Sequence, residues 1–155
     1  MIASHHSIKT VFGIVCLSAL FVGCATVPLA NSDADANAKK FQPEPGKAAI
    51  YICRGNGING EHLIETQVDG ILVGSLAVNT YEVISVAPGH HVVVVTGPTN
   101  EEELPVDAVA GNIYFFQASM IWAGPGIRHR HIEVMTDEMG RQYVEGEQRA
   151  QSVNP

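Results

Sequence analysis

Leu63-Ile64-Glu65-Thr66-Gln67-Val68-Asp69-Gly70-Ile71-Leu72-Val73 is the stretch that decides the architecture. Ile64, Thr66 and Val68 fall on one face of an extended chain, and Glu65, Gln67 and Asp69 on the other. That period of two belongs to a half-buried strand. Asp69-Gly70 then supplies the left-handed conformations of a tight hairpin, so a second strand returns from Ile71. Outward from this hairpin, β-rich segments separated by Gly, Pro, Asn and Asp predict strands over 48–54, 63–68, 71–77, 82–87, 91–96, 112–122 and 129–135. Val92-Val93-Val94-Val95 and Ile113-Tyr114-Phe115-Phe116 are apolar on both faces and form the expected core. Pro88-Gly89 and Gly97-Pro98 punctuate the valine strand at its two ends. The expectation is an all-β fold, a single small β-sandwich of about seven strands over 46–145. Thr136 caps a short C-terminal helix running toward Val144, weakened by Gly140, and 146–155 read as a disordered tail.

Upstream of the strands the chain gives an address. Lys9 lies in a short polar start, and Val11 to Val22 is apolar apart from Ser18. A membrane-spanning helix needs about 20 apolar residues, so this shorter run reads as a secretory signal over 1–23 that is cleaved. Phe21-Val22-Gly23-Cys24 resembles the lipoprotein signal motif, with cleavage between Gly23 and Cys24 and acylation of Cys24 (palmitate-type chains). Phe21 stands where that motif usually has leucine. At about 0.8 kcal/mol per buried methylene, two acyl chains make such an anchor effectively permanent. Ala25 is not the aspartate that resembles an inner-membrane retention signal, so the expected location is the cell envelope, at the outer membrane facing the periplasm. Residues 24–45 read as the lipidated cysteine and a flexible tether, with an r.m.s. reach of roughly 25 Å.

Charge and cysteines narrow the function. The chain has 9 Lys+Arg against 16 Asp+Glu; without Lys9 the balance is 8 against 16, a net −8. That argues against nucleic acid, whose phosphates demand Lys and Arg. If Cys16 is removed and Cys24 acylated, Cys53 has no partner within the chain, and it reads as a small hydrophobe in its strand.

The order of the turns resembles a known family. Gly46-Lys47-Ala48 leads into Ile50-Tyr51 and Arg54, and Val68-Asp69-Gly70 is followed by Gly74. Then come Asn79-Thr80-Tyr81, Pro88-Gly89-His90-His91, and Ala110-Gly111-Asn112 before Tyr114-Phe115. Over about Pro45 to Phe116 this resembles bacterial lipoproteins that carry a domain of unknown function of the DUF2846 type, itself similar to PEGA-type and transthyretin-like sandwiches. The resemblance implies a sandwich in the envelope and supplies no catalytic residue.

Four motifs remain to be weighed. Gly55 to Gly60 spells G-x-G-x-x-G, but strand-patterned residues resume by Leu63 where a dinucleotide site needs a helix, so it reads as a strand connection. His129, His131 and Glu133 alternate on one strand, and their side chains would project together as metal ligands do. Set against that is a solvated strand face, with Ile132 and Val134 turned to the core. Glu101-Glu102-Glu103 reads as a solvated loop. Trp122 lies beside the flexible apolar loop Ala123-Gly124-Pro125-Gly126-Ile127; it reads either as a contact tip for membrane or partner or, the preferred reading, as a ring folded back over the sandwich. No catalytic residue and no cofactor is expected. The leading reading is a lipid-anchored, non-enzymatic interaction or structural module, held to the membrane by its anchor and meeting an envelope protein or cell-wall partner through sheet edges and apolar loops. The alternative is a metal-binding or metal-dependent envelope protein using His129, His131 and Glu133.

Overall fold

A computed structural model describes residues 25–57 and 60–153. Along the chain come α1 (Ser32–Ala38), β1 (Ala48–Arg54), β2 (Ile64–Val68), β3 (Ile71–Leu76), β4 (Thr80–Val86) and β5 (Gly89–Thr96). They are followed by β6 (Glu101–Ala108), β7 (Ile113–Gly124), β8 (Ile127–Val134), α2 (Asp137–Gly146) and β9 (Gln148–Arg149). One sheet has the order β8-β7-β1-β4-β9 and the other β3-β2-β5-β6. The all-β sandwich is as expected, and each of the seven expected strands is present.

β1 is buried along its whole length because both of its faces are covered. Ala48, Ile50 and Ile52 point into the space between the sheets with Ile64, Val93 and Phe116. Ala49, Tyr51 and Cys53 point outward into a second cluster with Tyr81, Phe115 and Val144. Phe116 is 1% exposed, and truncating such a side chain to Ala typically costs about 3–5 kcal/mol. Asp69, at φ +54, and Gly70, at φ +74, make the predicted left-handed hairpin between β2 and β3.

Three expectations are corrected. The acidic run Glu101 to Glu103 is not a loop; it opens β6, where Glu101, Glu103, Pro105 and Asp107 are exposed and Val106 and Ala108 buried. An edge strand tolerates proline and charge in this way. Residues 25–45 are not a featureless tether. Asn31 caps α1 by accepting from the Ala34 amide at 2.8 Å. The Tyr51 hydroxyl donates to the Ala38 carbonyl at 2.7 Å, and the Tyr81 hydroxyl donates to Asp35 at 2.8 Å. Phe41 then closes on Tyr51 and Phe115, with ring centroids 5.7 and 6.0 Å away.

Nor is the C-terminal segment a tail. β9 pairs in parallel with β4, the Ala150 amide donates to the Tyr81 carbonyl at 2.8 Å, and the Val153 amide donates to the Val73 carbonyl at 2.8 Å. Since β4 and β3 lie in different sheets, this segment stitches the sandwich shut along one side. Helix α2 starts at Thr136 as expected.

Candidate functional site

The proposed metal face does not assemble. β8 alternates, and its buried positions are Arg130 and Ile132, while Val134 is 66% exposed instead of turned to the core. His131 reaches across to the other sheet, where its Nδ1 lies 3.0 and 3.1 Å from the two carboxylate oxygens of Glu102. Glu133 is exposed. Among the described residues no group of three His, Cys, Asp or Glu side chains is placed to hold a metal ion. Glu102 takes the imidazole that the metal reading required.

Several ionisable groups are buried, and each is tied to the fold. Arg54 and Arg130 lie at one end of the sandwich. Arg54 donates to the His62 and Leu76 carbonyls at 2.6 and 2.7 Å, and Arg130 donates to the Leu63 carbonyl at 3.0 Å. Burial, then the charge of Arg130, lowers the Arg54 guanidinium to about 10. Together they hold the His62 and Leu63 carbonyls that lead into β2, and the described residues from Gly55 to β2, the stretch that opens with the G-x-G-x-x-G spelling, include no helix.

Glu82 sits between the sheets, fully buried, accepting from the Thr66 hydroxyl and filling the space where Gly74 lacks a Cβ. Burial pushes its carboxyl up to about 7 despite that hydrogen bond. Cys53 is 0% exposed; burial first, then the charge of Glu147, pushes its thiol up. A thiol held neutral in this way is a poor nucleophile. His91 braces the turn that precedes it, with Nδ1 at 2.6 Å from Asp69 and Nε2 at 2.7 Å from the Ala87 carbonyl.

One end of the sandwich stands apart. β7 runs parallel to β1 only as far as the Cys53–Gln117 pair and then continues with β8 alone. Met120 is the last β7 side chain packed on the core, so Trp122, two residues on, has roughly 7 Å of strand beyond that cover. Trp122 is 68% exposed, with Ile121 at 45% and Ile127 at 42%. The reading that folds this ring back over the sandwich is overturned by that exposure. No charged residue occurs from Ala118 to Ile127.

The chain also enters at this end. The Ala25 amide donates to the Gly60 carbonyl at 3.0 Å. Ala25, Val27, Leu29 and Val78 help line an open apolar cleft of about 530 Å³ beside it. Cys24 and the signal stretch, Gly23 included, lie outside the described residues.

The family profile described as "Protein of unknown function (DUF2846)" matches residues 44–129, more than half of the chain. The chain belongs to the DUF2846 family. The DUF2846 match runs from the turn before β1 into the start of β8, so it takes in β1 to β7 and the Trp122 hairpin tip. Helices α1 and α2 and the β9 stitch lie outside it. A protein of Haemophilus influenzae (strain ATCC 51907 / DSM 11121 / KW20 / Rd) named "Uncharacterized protein" is 22% identical over 148 residues, spanning 93% of this chain and 88% of its own length.

Sequence reasoning missed the buried Glu82 and the two guanidinium clamps, and it set the Trp122 tip as a contact surface behind the reading that folds the ring back. Glu82 carried a signal, since it is a lone acid on the same face of β4 as Thr80, Ile84 and Val86, all apolar or small. The tip carried one in its lone tryptophan beside an uncharged Gly-Pro-Gly loop, but whether the ring is exposed depends on which neighbouring strands stop short.

Proposed function

We propose that this chain is a lipid-anchored β-sandwich of the cell envelope, working as a non-enzymatic interaction or structural module. The observation that carries the reading is the Phe21-Val22-Gly23-Cys24 motif after an apolar run, immediately followed by Ala25, which is already hydrogen-bonded into the domain. An anchor at Cys24 would therefore hold the sandwich against the bilayer, with no 20-residue leash. The non-enzymatic part draws support from the buried groups: Cys53, Glu82, Arg54 and Arg130 are each enclosed, and the arginines hold backbone carbonyls. The absence of aspartate after Cys24 favours the outer membrane over the inner.

The sheet edges offer little backbone to a visiting strand. Asn100 covers β8, Val153 meets β3, β9 is two residues long, and β6 carries Pro105 among exposed acids. Contacts are thus left to loops and side chains. Expressing the full chain and its Cys24→Ala variant in a bacterial host tests the anchor. Wild type should fractionate with membranes and carry an acyl mass increment, both lost in the variant. A wild-type chain of unmodified mass in the soluble fraction would overturn the proposal.

A further inference from the structure

We infer that the β7–β8 hairpin tip is a second membrane contact, in which Trp122, Ile121 and Ile127 enter the lipid headgroup region beside the acyl anchor. This rests on the anchor proposed above. Two independent placements lead to it. The first is where the described chain begins: Cys24 is one peptide bond, 3.8 Å between Cα atoms, from Ala25, whose amide is held by Gly60. The second is the tip, which overruns the same end of the sheet. Arg54 at the end of β1 donates to the carbonyls of His62 and Leu76, so the connections after β1 and β3 gather there too. Thr80 of β4 lines the cleft that Ala25 lines. β4 and β7 are separated by β1 alone, roughly 10 Å in all. A bilayer touching Cys24 therefore lies within reach of the tip.

The tip's composition suits lipid better than water. Ile121 through Ile127 is a run of seven uncharged residues, three of them large, apolar and exposed, in a chain of net charge −7. Tryptophan concentrates at bilayer interfaces, where the ring is buried and its N–H stays hydrated. Single exposed apolar residues need no explanation, but three large ones within seven residues on a projecting hairpin, presented from both of its faces, do. Because the seven residues of the tip carry no charge, the occupant is a neutral lipid surface, entered by apolar contact without help from anionic headgroups. With one end tethered, the tip meets a high effective lipid concentration, and its insertion fixes the tilt of the sandwich.

Trp122 is the sole tryptophan, so its emission reports the tip alone. The full chain, purified from membranes with its acyl mass verified, is reconstituted into phosphatidylcholine vesicles whose chains are brominated near the headgroup. The expected result is a shift of emission to shorter wavelength and loss of most of its intensity. Adding phosphatidylglycerol should not strengthen either effect, and Ile121→Asp with Ile127→Asp should abolish both while the protein stays on the vesicles. Acylated, vesicle-bound protein with unquenched, water-like emission would overturn the tip contact and leave the anchor standing. An unmodified mass with no vesicle association would overturn both. A blue shift that rises with protein concentration in detergent, without vesicles, would assign the tip to a second copy of the chain or another protein surface instead.

Discussion

Asn100 stands in for a strand residue against the outer edge of β8: its Oδ1 accepts from the Arg130 amide at 2.6 Å and its Nδ2 donates to the Arg130 carbonyl at 2.7 Å. Thr99 adds a hydroxyl bond to the Arg128 carbonyl at 3.0 Å. The β5–β6 turn thereby closes one side of the sandwich, as residues 148–153 close the other. Removing the side chain leaves two backbone groups of an edge strand unpaired, at about 1–3 kcal/mol, and offers them to another copy. Asn100→Ala should lower the urea midpoint and give concentration-dependent light scattering. Unchanged stability and scattering would show that water caps this edge equally well.

His91 gives the fold a pH response. Its two ring nitrogens face acceptors, the Asp69 carboxylate and the Ala87 carbonyl, so only the imidazolium satisfies both. The Asp69 hydrogen bond, then the Ala87 carbonyl, raise the His91 pKa above the ordinary 6.5. A group raised on folding contributes stability that is whole below its unfolded pKa and lost as pH climbs through the folded one. Asp69 is lowered, chiefly by the hydrogen bond from His91, and its share is lost as pH falls below 3.8 toward its folded value. Asp69→Asn, which tolerates the positive φ of this turn, should return the His91 titration toward 6.5 in NMR. A His91 pKa that does not move would remove Asp69 as its cause.

How much of this could be read beforehand follows from where each signal resides. The hairpin at Asp69-Gly70 and the double-faced runs Val92 to Val95 and Ile113 to Phe116 were legible because period and turn chemistry are local. β6 was hidden because Glu101 to Glu103 and Pro105 argue against a strand anywhere except at an edge, and edges are decided by topology. α1 has no buried residue; it docks through the hydroxyls of Tyr51 and Tyr81, so no apolar stripe announces it. His129, His131 and Glu133 were correctly placed on one strand, but Glu102, distant in sequence, claims His131. The parallel pairing of β1 with β7, which lets Trp122 overrun its neighbours, is likewise a property of chain topology.

Glu82 and Glu147 should make the domain more stable in mild acid than in mild base. Burial raises Glu82 to about 7, partly offset by Thr66. It raises Glu147 to about 8, partly offset by the Arg54 amide and the Lys39 charge. Both lie above the ordinary 4.5, so their contribution is whole below that value and fades as pH passes 7 and then 8. For Glu82 the loss is on the order of 3 kcal/mol. The melting temperature should fall between about pH 5 and pH 9, less so in Glu82→Gln and least in the double variant with Glu147→Gln. A wild-type curve level across that window would show that both carboxylates ionise at no cost.

Gly140 poses two effects of opposite sign. It lies inside α2, where alanine is favoured over glycine by about 1 kcal/mol on helix propensity alone. Against this, the glycine is buried, and a Cβ built on it would overlap the ring and Cβ of Phe115. Phe115 cannot yield readily, since it is 2% exposed and wedged between Phe41 at 6.0 Å and Tyr51 at 5.1 Å, with Arg141 over the Phe41 ring at 4.5 Å. Overpacking a site of this kind costs about 1–3 kcal/mol, and more when neighbours are held. Packing therefore outweighs propensity, and Gly140→Ala should destabilise the domain in denaturant titrations. Phe115→Leu, which vacates part of the overlap, should recover part of that loss in the double variant, a coupling that independent sites would not show. A stabilised Gly140→Ala protein would mean that α2 sits farther from the sheet than this contact requires.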